Sequence, residues 1–293
     1  MYLLKKIGLV IKRHSPRLYT QLRSLFSPLY FRAKAHKTAA FTTRTVTEVT
    51  HEGYTFLLVV DPANGFVDTE VFSAGVYEPD ILSVIKSHLP AAGTYVDIGA
   101  NIGHHALFAA RHLSPAGHVI ACEPIPRLVA QINESIALNA QENISVHQIA
   151  CSSKETTFTL SLNPDNIGGS GFHHTKAGQE TIIVHTVTAD SLLKDEPRVD
   201  FIKIDTEGHE LAVLEGLAET LTAHSPTLLI EYSPSFWGDS RTEMNDAFFS
   251  ILNHHHYVCY DLEAGHTRIE NPLQWAASFT KAQTNLLCIP KKS

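Results

Sequence analysis

The sequence is sparing with cysteine, with acidic residues near its start and with long apolar runs. Its four cysteines, Cys122, Cys151, Cys259 and Cys288, include no CxxC pair. Most of them sit in apolar stretches that read as strands, which predicts free buried thiols in a reducing compartment. The longest early apolar run is Ile7–Ile11, whereas a membrane-spanning helix needs about 20 residues and a signal-peptide core about 7–15. The sequence therefore predicts a cytoplasmic protein.

No Asp or Glu precedes Glu48, while ten of the 23 Lys and Arg fall within residues 1–44. The remainder carries 13 basic against 30 acidic residues, a poor surface for nucleic acid. The basic tip, by contrast, calls for an anionic partner. Within it, Leu3, Leu4, Ile7, Val10 and Ile11, then Leu18, Leu22, Leu25 and Phe26, recur at spacings that suggest short amphipathic helices broken near Pro16 and Pro28. Two readings stand side by side for residues 1–37. One is adhesion to an anionic membrane at its inner face. The other is a helix packed on the domain or on a second copy in a homo-oligomer.

What is present is an ordinary globular mixture, 44% apolar and 18% charged over 293 residues, enough for one large domain with an extension or two modest domains. Residues 1–40 read as the basic extension and 41–92 as a β/α cap region. Residues 41–72 suggest an antiparallel strand cluster, with Asn64-Gly65 as a turn, and Glu78-Pro79-Asp80 opens a helix through His88. From 93 to 293 strands and helices alternate. Strands are predicted at Thr94–Ile98, His118–Cys122, Ile144–Ala150, Phe201–Ile204 and Thr227–Ile230, and helices at Asn101–Leu113, Pro126–Ala140, His209–Leu221 and Thr242–Asn253. A further strand pair, Phe158–Leu162 and Thr181–Thr188, flanks the Gly168–Gly171 loop, and Tyr257–Tyr260 and Asn285–Ile289 close the chain. This alternation predicts an α/β fold with a largely parallel sheet covered on both faces.

Three stretches carry chemistry. In Val96-Asp97-Ile98-Gly99-Ala100-Asn101-Ile102-Gly103 a strand enters a tight glycine turn that opens a helix, the default ligand position of an open α/β sheet. A dinucleotide-binding turn wants G-x-G-x-x-G, but counting from Gly99 its second and third glycines are Asn101 and His104. The turn suits a ligand without pyrophosphate, facing Asp97, and S-adenosylmethionine (SAM), with its ammonium and sulfonium, fits. Glu123-Pro124 ends the next strand, 24 residues after Gly99, where an acid hydrogen-bonds a ribose diol. The run Lys203-Ile204-Asp205-Thr206-Glu207-Gly208-His209-Glu210 crowds titratable groups at a third strand end, an arrangement that tunes a base. Asp205, Glu207, His209 and Glu231 are the candidates to take a hydroxyl proton. Glu210 reads equally as a helix-start acid. No oxygen cage for a metal is complete, and no obligatory metal is expected. The consecutive His254-His255-His256 read as a helix end running into a strand.

These three motifs resemble the FkbM-type methyltransferases over roughly residues 72–290, including Tyr77-Glu78-Pro79 and Asn285-Leu286-Leu287. The resemblance implies a Rossmann-like seven-stranded methyltransferase sheet, mostly parallel with an antiparallel last strand. It also implies SAM as methyl donor and O-methylation of a hydroxyl on a carbohydrate, a lipid-linked glycan or glycolipid, or a secondary metabolite. His104 and His105 stand where an aromatic is common in that family. The expected cofactor-binding set is Asp97, Gly99, Asn101, Gly103, Glu123, Pro124, Ala150 and Asp205, and the expected catalytic set Asp205, Glu207 and His209. The Gly168–Gly171 loop, with His173 and His174, is a candidate cover for the acceptor. The rival readings are an NAD(P)-dependent oxidoreductase and a non-catalytic, membrane-associated scaffold on the SAM fold. N-methylation of a peptide or protein is the variant within the enzyme class.

Overall fold

The computed structural model describes residues 44–171 and 179–291. The expected amphipathic helices of residues 1–37, with the membrane contact read from them, lie outside the described residues, as do His173 and His174. No helix among the described residues is long and apolar enough to cross a membrane.

The chain enters as a hairpin, β1 (Thr45–His51) and β2 (Tyr54–Val60), followed by α1 (Phe66–Ala74) and α2 (Pro79–His88). Next come β3 (Thr94–Ile98), α3 (His104–His112), β4 (His118–Cys122), α4 (Pro126–Leu138) and β5 (Ile144–His147). The chain then leaves the main sheet for β6 (Ala150–Cys151), β7 (Thr156–Ser161) and β8 (Thr181–Val187), and returns through α5 (Ala189–Leu193) to β9 (Phe201–Ile204). After α6 (Glu210–Glu215) and α7 (Ala218–His224) come β10 (Thr227–Tyr232), α8 (Arg241–His254), β11 (Tyr257–Asp261), β12 (Thr267–Arg268), α9 (Pro272–Ser278) and β13 (Thr284–Pro290).

The main sheet has the order β12-β11-β13-β10-β9-β3-β4-β5. Strands β10, β9, β3, β4 and β5 pair in parallel, and β13 runs antiparallel between β10 and β11. Seven of these strands are the expected ones, and the last is the reversed one. The eighth, β12, adds only two residues at the edge of β11. The strands after β3 build outward through β4 and β5, then the chain crosses back to lay β9 on the other side of β3. That reversal opens a crevice at the carboxyl ends of β3 and β9, where ligands of such sheets bind.

Period-2 alternation decides what reaches the crevice. Tyr95, Phe201 and Leu229 point into the core shared with the hairpin and α2–α4, whereas Val96, Ile202, Leu228 and Ile230 point into the opposite core. Asp97, Lys203 and Glu231 lie two residues beyond Tyr95, Phe201 and Leu229. Three charged side chains thus share one face at the ends of adjacent strands. The hairpin's free edge is closed by α4: Val59 N donates to Ser135 Oγ, Leu57 N to Asn139 Oδ1, and Gln131 Nε2 donates to the Val59 carbonyl. Side chains thereby satisfy backbone groups that a third strand would otherwise pair.

Four local expectations change. Residues 66–74 are helical rather than part of a strand cluster, because Asn166 Oδ1 from a distant loop accepts the Phe66 N–H at the helix start. The helix expected from Asn101 begins at His104, since Asn101 (φ 54°) and Gly103 (φ 81°) are left-handed. The strand expected over Ile144–Ala150 breaks after His147, and Ala150–Cys151 pairs with β8 instead. The helix expected over His209–Leu221 breaks at Gly216, whose backbone lies so close to Ser152 that a Cβ would stand 2.1 Å from its carbonyl oxygen. All four cysteines are free and buried, as expected, with Cys259 and Cys288 opposite one another on β11 and β13.

Candidate active site

A cavity of about 910 Å³ opens at the crevice, within the range that holds a cofactor-sized ligand. Its floor is the turn after β3. Gly99 (φ 83°), Asn101 and Gly103 take left-handed backbone in alternation. A Cβ on Gly99 would stand 1.9 Å from the Asp205 carbonyl oxygen, so only glycine lets the β3 and β9 turns touch. Gly99 N and Ala100 N both donate to the Cys122 carbonyl at 3.0 Å, which fastens this turn to the end of β4.

Glu123 completes that end. Its Oε2 accepts the Asn101 N–H and its Oε1 the Ile125 N–H, each at 2.9 Å. The carboxylate is thereby aimed and held while each oxygen keeps acceptor capacity. Burial pushes its pKa up to about 7, against the lowering effect of those two backbone donors.

The other wall is ionic. Lys203 Nζ donates to Asp205 Oδ2 at 2.9 Å and stands 3.8 Å from Asp97 Oδ1. Burial alone would push this ammonium down, but Asp205 and Asp97 outweigh it and hold it charged. The loop after β9 is shaped by Glu210, whose Oε1 accepts from Thr206 N, Thr206 Oγ1 and Gly208 N. Glu210 is therefore the staple of its own loop, and the left-handed Glu207 (φ 52°) is turned toward the cavity by it. Burial, with Asp205 and Glu210 adding repulsion, raises Glu207 to about 8. Glu231 is raised as well, by burial and then by Asp205, Glu207 and Glu210. Gln283 Nε2 and Ser233 Oγ donate to its two oxygens.

The third wall comes from afar. Asn163–Gly171 folds over the crevice: a Cβ on Gly168 would meet Asn101 Nδ2 at 2.1 Å, and one on Gly169 would come within 3.6 Å of Glu207 Oε1. Ile167 N donates to the Asn64 carbonyl, tying this loop to the start of α1. Tyr77, His104 and His105 stand on the same cavity. Burial holds both imidazoles neutral, pushing His104 down to about 3 and His105 well below its usual value.

Of the expected cofactor set, Gly99, Asn101, Glu123, Pro124, Ala150 and Asp205 line the cavity. Asp97 and Gly103 do not. Asp97 is fully buried at the end of β3, where its Oδ1 stands 3.8 Å from Lys203 Nζ and helps hold that ammonium charged. Gly103 packs on Ile132 and serves the turn's backbone. All three expected catalytic residues, Asp205, Glu207 and His209, reach the cavity. His209 Nε2 is hydrogen-bonded to Ser152 Oγ at 2.9 Å. The sequence reading missed Gln283, Phe236 and the Asn163–Asn166 stretch, which carry no motif and meet the site only through the tertiary fold.

Residues 97–259 match the model of the methyltransferase FkbM domain. The chain is 25% identical over 146 residues to the hexuronic acid methyltransferase AglP of Haloferax volcanii, an alignment spanning 49% of this chain and 58% of that relative. It is 28% identical over 186 residues to the methyltransferase sdnD of Sordaria araneosa, covering 53% of this chain and 69% of that one. Among solved structures, an FkbM methyltransferase from Methylobacillus flagellatus aligns with a TM-score of 0.45 and 18% identity over 73% of this chain and 47% of the other.

Proposed function

The chain belongs to the FkbM methyltransferase family, and from that premise we propose that it is a SAM-dependent O-methyltransferase acting on a hydroxyl of a carbohydrate, a glycolipid or a secondary metabolite. The observation that carries this reading is the pairing, in one cavity, of a glycine turn fastened to an aimed Glu123 with a cluster of carboxylates around Lys203. The Haloferax relative, named for a hexuronic acid, supports a sugar as acceptor.

The residues fit SAM. Gly99 and Asn101 line a floor whose shape depends on glycine at 99, where a Cβ would strike the Asp205 carbonyl, and Glu123 offers acceptor oxygens suited to a ribose diol. The positions that must be glycine for a pyrophosphate are Asn101 and a buried His104, which disfavours a dinucleotide. SAM, when bound, supplies a methyl group on a cationic sulfonium. Gly99, Asn101, Glu123, Pro124 and Ala150 would hold it, and Asp205 would complement its positive charge. Glu207, raised to about 8, is placed to take the acceptor's hydroxyl proton. A base near the working pH suits that task. Lys203 orients Asp205 through their 2.9 Å hydrogen bond, and the Asn163–Gly171 wall narrows the access of water.

The test is transfer of isotope-labelled methyl from SAM to a panel of glycosides and glycolipids, with products located by mass spectrometry. Label on a sugar oxygen supports the reading. Label found only on nitrogen removes the O-methyl assignment.

A further inference from the structure

Glu78 stands in a strained conformation that the helix it precedes does not explain. Its backbone is left-handed (φ 43°, ψ 59°), directly before Pro79 at the head of α2. A non-glycine residue enters this region at a cost and keeps it mainly where a site needs it. A residue in this position ordinarily turns its side chain back to cap the helix, but Glu78 makes no such bond. Its carboxylate turns instead toward α3, where Oε2 stands 3.5 Å from His105 Nε2. That nitrogen is buried and closes no hydrogen bond within the protein, although the ring lines the cavity. Buried polar atoms left this way are few, and each calls for an explanation. His104 already serves the framework, its Nε2 accepting the Tyr77 N–H at 3.4 Å.

The place of the pair on the sheet tells which part of a ligand it meets. Asp205 and Lys203 are the charges that act most strongly on Glu78 from outside the pair, and Lys203 on His105. Both belong to the end of β9, on one side of β3, whereas Glu123 follows β4 on the other side. A SAM molecule whose ribose diol meets Glu123 has its aminoacyl end toward β9. Burial holds the His105 ring neutral, and with Nε2 engaged by Glu78 the nitrogen left for a ligand is Nδ1. Nδ1 accepts a hydrogen bond when Glu78 is ionised and the ring proton sits on Nε2, and donates one when Glu78 is protonated. An α-amino acid group offers a partner for either state, an ammonium or a carboxylate.

Resting on the SAM reading above, we propose that His105 binds the aminoacyl end of the cofactor through Nδ1, and that Glu78 is the positioning residue that fixes the ring for it. The left-handed backbone of Glu78 brings its carboxylate to α3, so the strain at the head of α2 and the grip on the cofactor belong to one arrangement.

The experiment uses the full chain and a pair of thioethers, S-adenosylhomocysteine and 5′-methylthioadenosine. They share the adenosine, but only the first carries the aminoacyl group. Calorimetric titration gives the ratio of their affinities for the parent protein, His105→Phe, His105→Asn and Glu78→Gly, with thermal unfolding run on each. The parent should prefer S-adenosylhomocysteine. In His105→Phe, a ring without nitrogens, that preference should shrink by about tenfold, the scale of one hydrogen bond to a charged group, with methylthioadenosine affinity unchanged. His105→Asn, which keeps a polar atom near the place of Nδ1, should recover part of it. Glu78→Gly, at ease in left-handed backbone, should keep or raise the unfolding temperature and still lower the preference. An equal loss for both ligands overturns the proposal, because a packing defect alone produces it. So does a parent without preference, or a preference unchanged in His105→Phe and Glu78→Gly. Loss in His105→Phe alone removes Glu78 from the arrangement. Folded parent protein that binds neither thioether strikes at the underlying SAM reading, and the proposal falls with it.

Discussion

The two halves of the cavity are built in opposite ways. The floor comes from one short stretch, Gly99–Gly103, closed by Glu123 from the next strand, and its shape is a property of the backbone: left-handed residues in alternation and a carboxylate that grips two N–H groups. The rest of the lining, where the acceptor is proposed to bind, gathers Tyr77, the Asn163–Gly171 loop, the Asp205–His209 turn, Glu231, Phe236 and Gln283 from across the chain. Its character is a property of side-chain charge. The floor should therefore fail when backbone freedom is removed, and the acceptor side when charge is changed.

The sharpest test of that contrast lies where the two halves meet. Lys203→Met leaves Asp97 and Asp205 without their cation in a buried position. Removing one partner of such a group costs about 3–5 kcal/mol, which urea unfolding would read as a lower midpoint. A midpoint equal to that of the parent protein would show that the buried ionic cluster contributes nothing to the fold. Next in size is Gly99→Ala. A left-handed alanine costs ~1–2 kcal/mol, and the 1.9 Å clash with Asp205 O forces the two turns apart. Gly75→Ala, left-handed at φ 80° and with nothing within 4 Å of a Cβ, is the control for a left-handed alanine without a clash. SAM affinity should collapse in the first and persist in the second; parity between them would dissolve the backbone account of the floor.

The smallest expected effect is on the acceptor side and is read as a pH profile. The Glu207 carboxyl is raised to about 8, and its ionised form is the base proposed above. Methyl transfer should therefore rise as pH increases through about 8, and Glu207→Gln should lower the rate and flatten that rise. The same shift acts on stability in the opposite sense. A carboxyl whose pKa is higher folded than unfolded binds more protons in the native state. Stability from Glu207 is then lost as pH rises from its unfolded value near 4.5 through about 8. A transfer rate that falls over this range would remove Glu207 as the base.

Much of this was legible in the residues, for physical reasons that differ by region. The order of strands and helices, the glycine turn and Glu123 could be read because they depend on neighbours in sequence: alternation of apolar residues, conformations that glycine allows, and an acid at a fixed spacing. The Lys203–Glu210 run was legible as crowded charge, but not in its division of labour. Glu210 could be read as a helix-start acid, but its grip on Thr206 and Gly208, which turns Glu207 toward the cavity, could not. The 3.8 Å approach of Lys203 to Asp97 was hidden as well, since it exists only once β3 and β9 pair. The start of α1 was hidden because the group that receives its first N–H, Asn166, comes from a hundred residues away. Gln283 and Phe236 had no signal at all, because their role exists only once β10, β13 and the turn after β10 stand together.

The measurement that bears most directly on the central claim is calorimetric titration of the folded protein with SAM, repeated with Glu123→Gln and with NAD as the competing ligand. The account predicts micromolar SAM binding, a loss of roughly tenfold or more in Glu123→Gln from one aimed charged hydrogen-bond acceptor, and no heat with NAD. Undiminished SAM affinity in Glu123→Gln, or NAD binding in place of SAM, would contradict it.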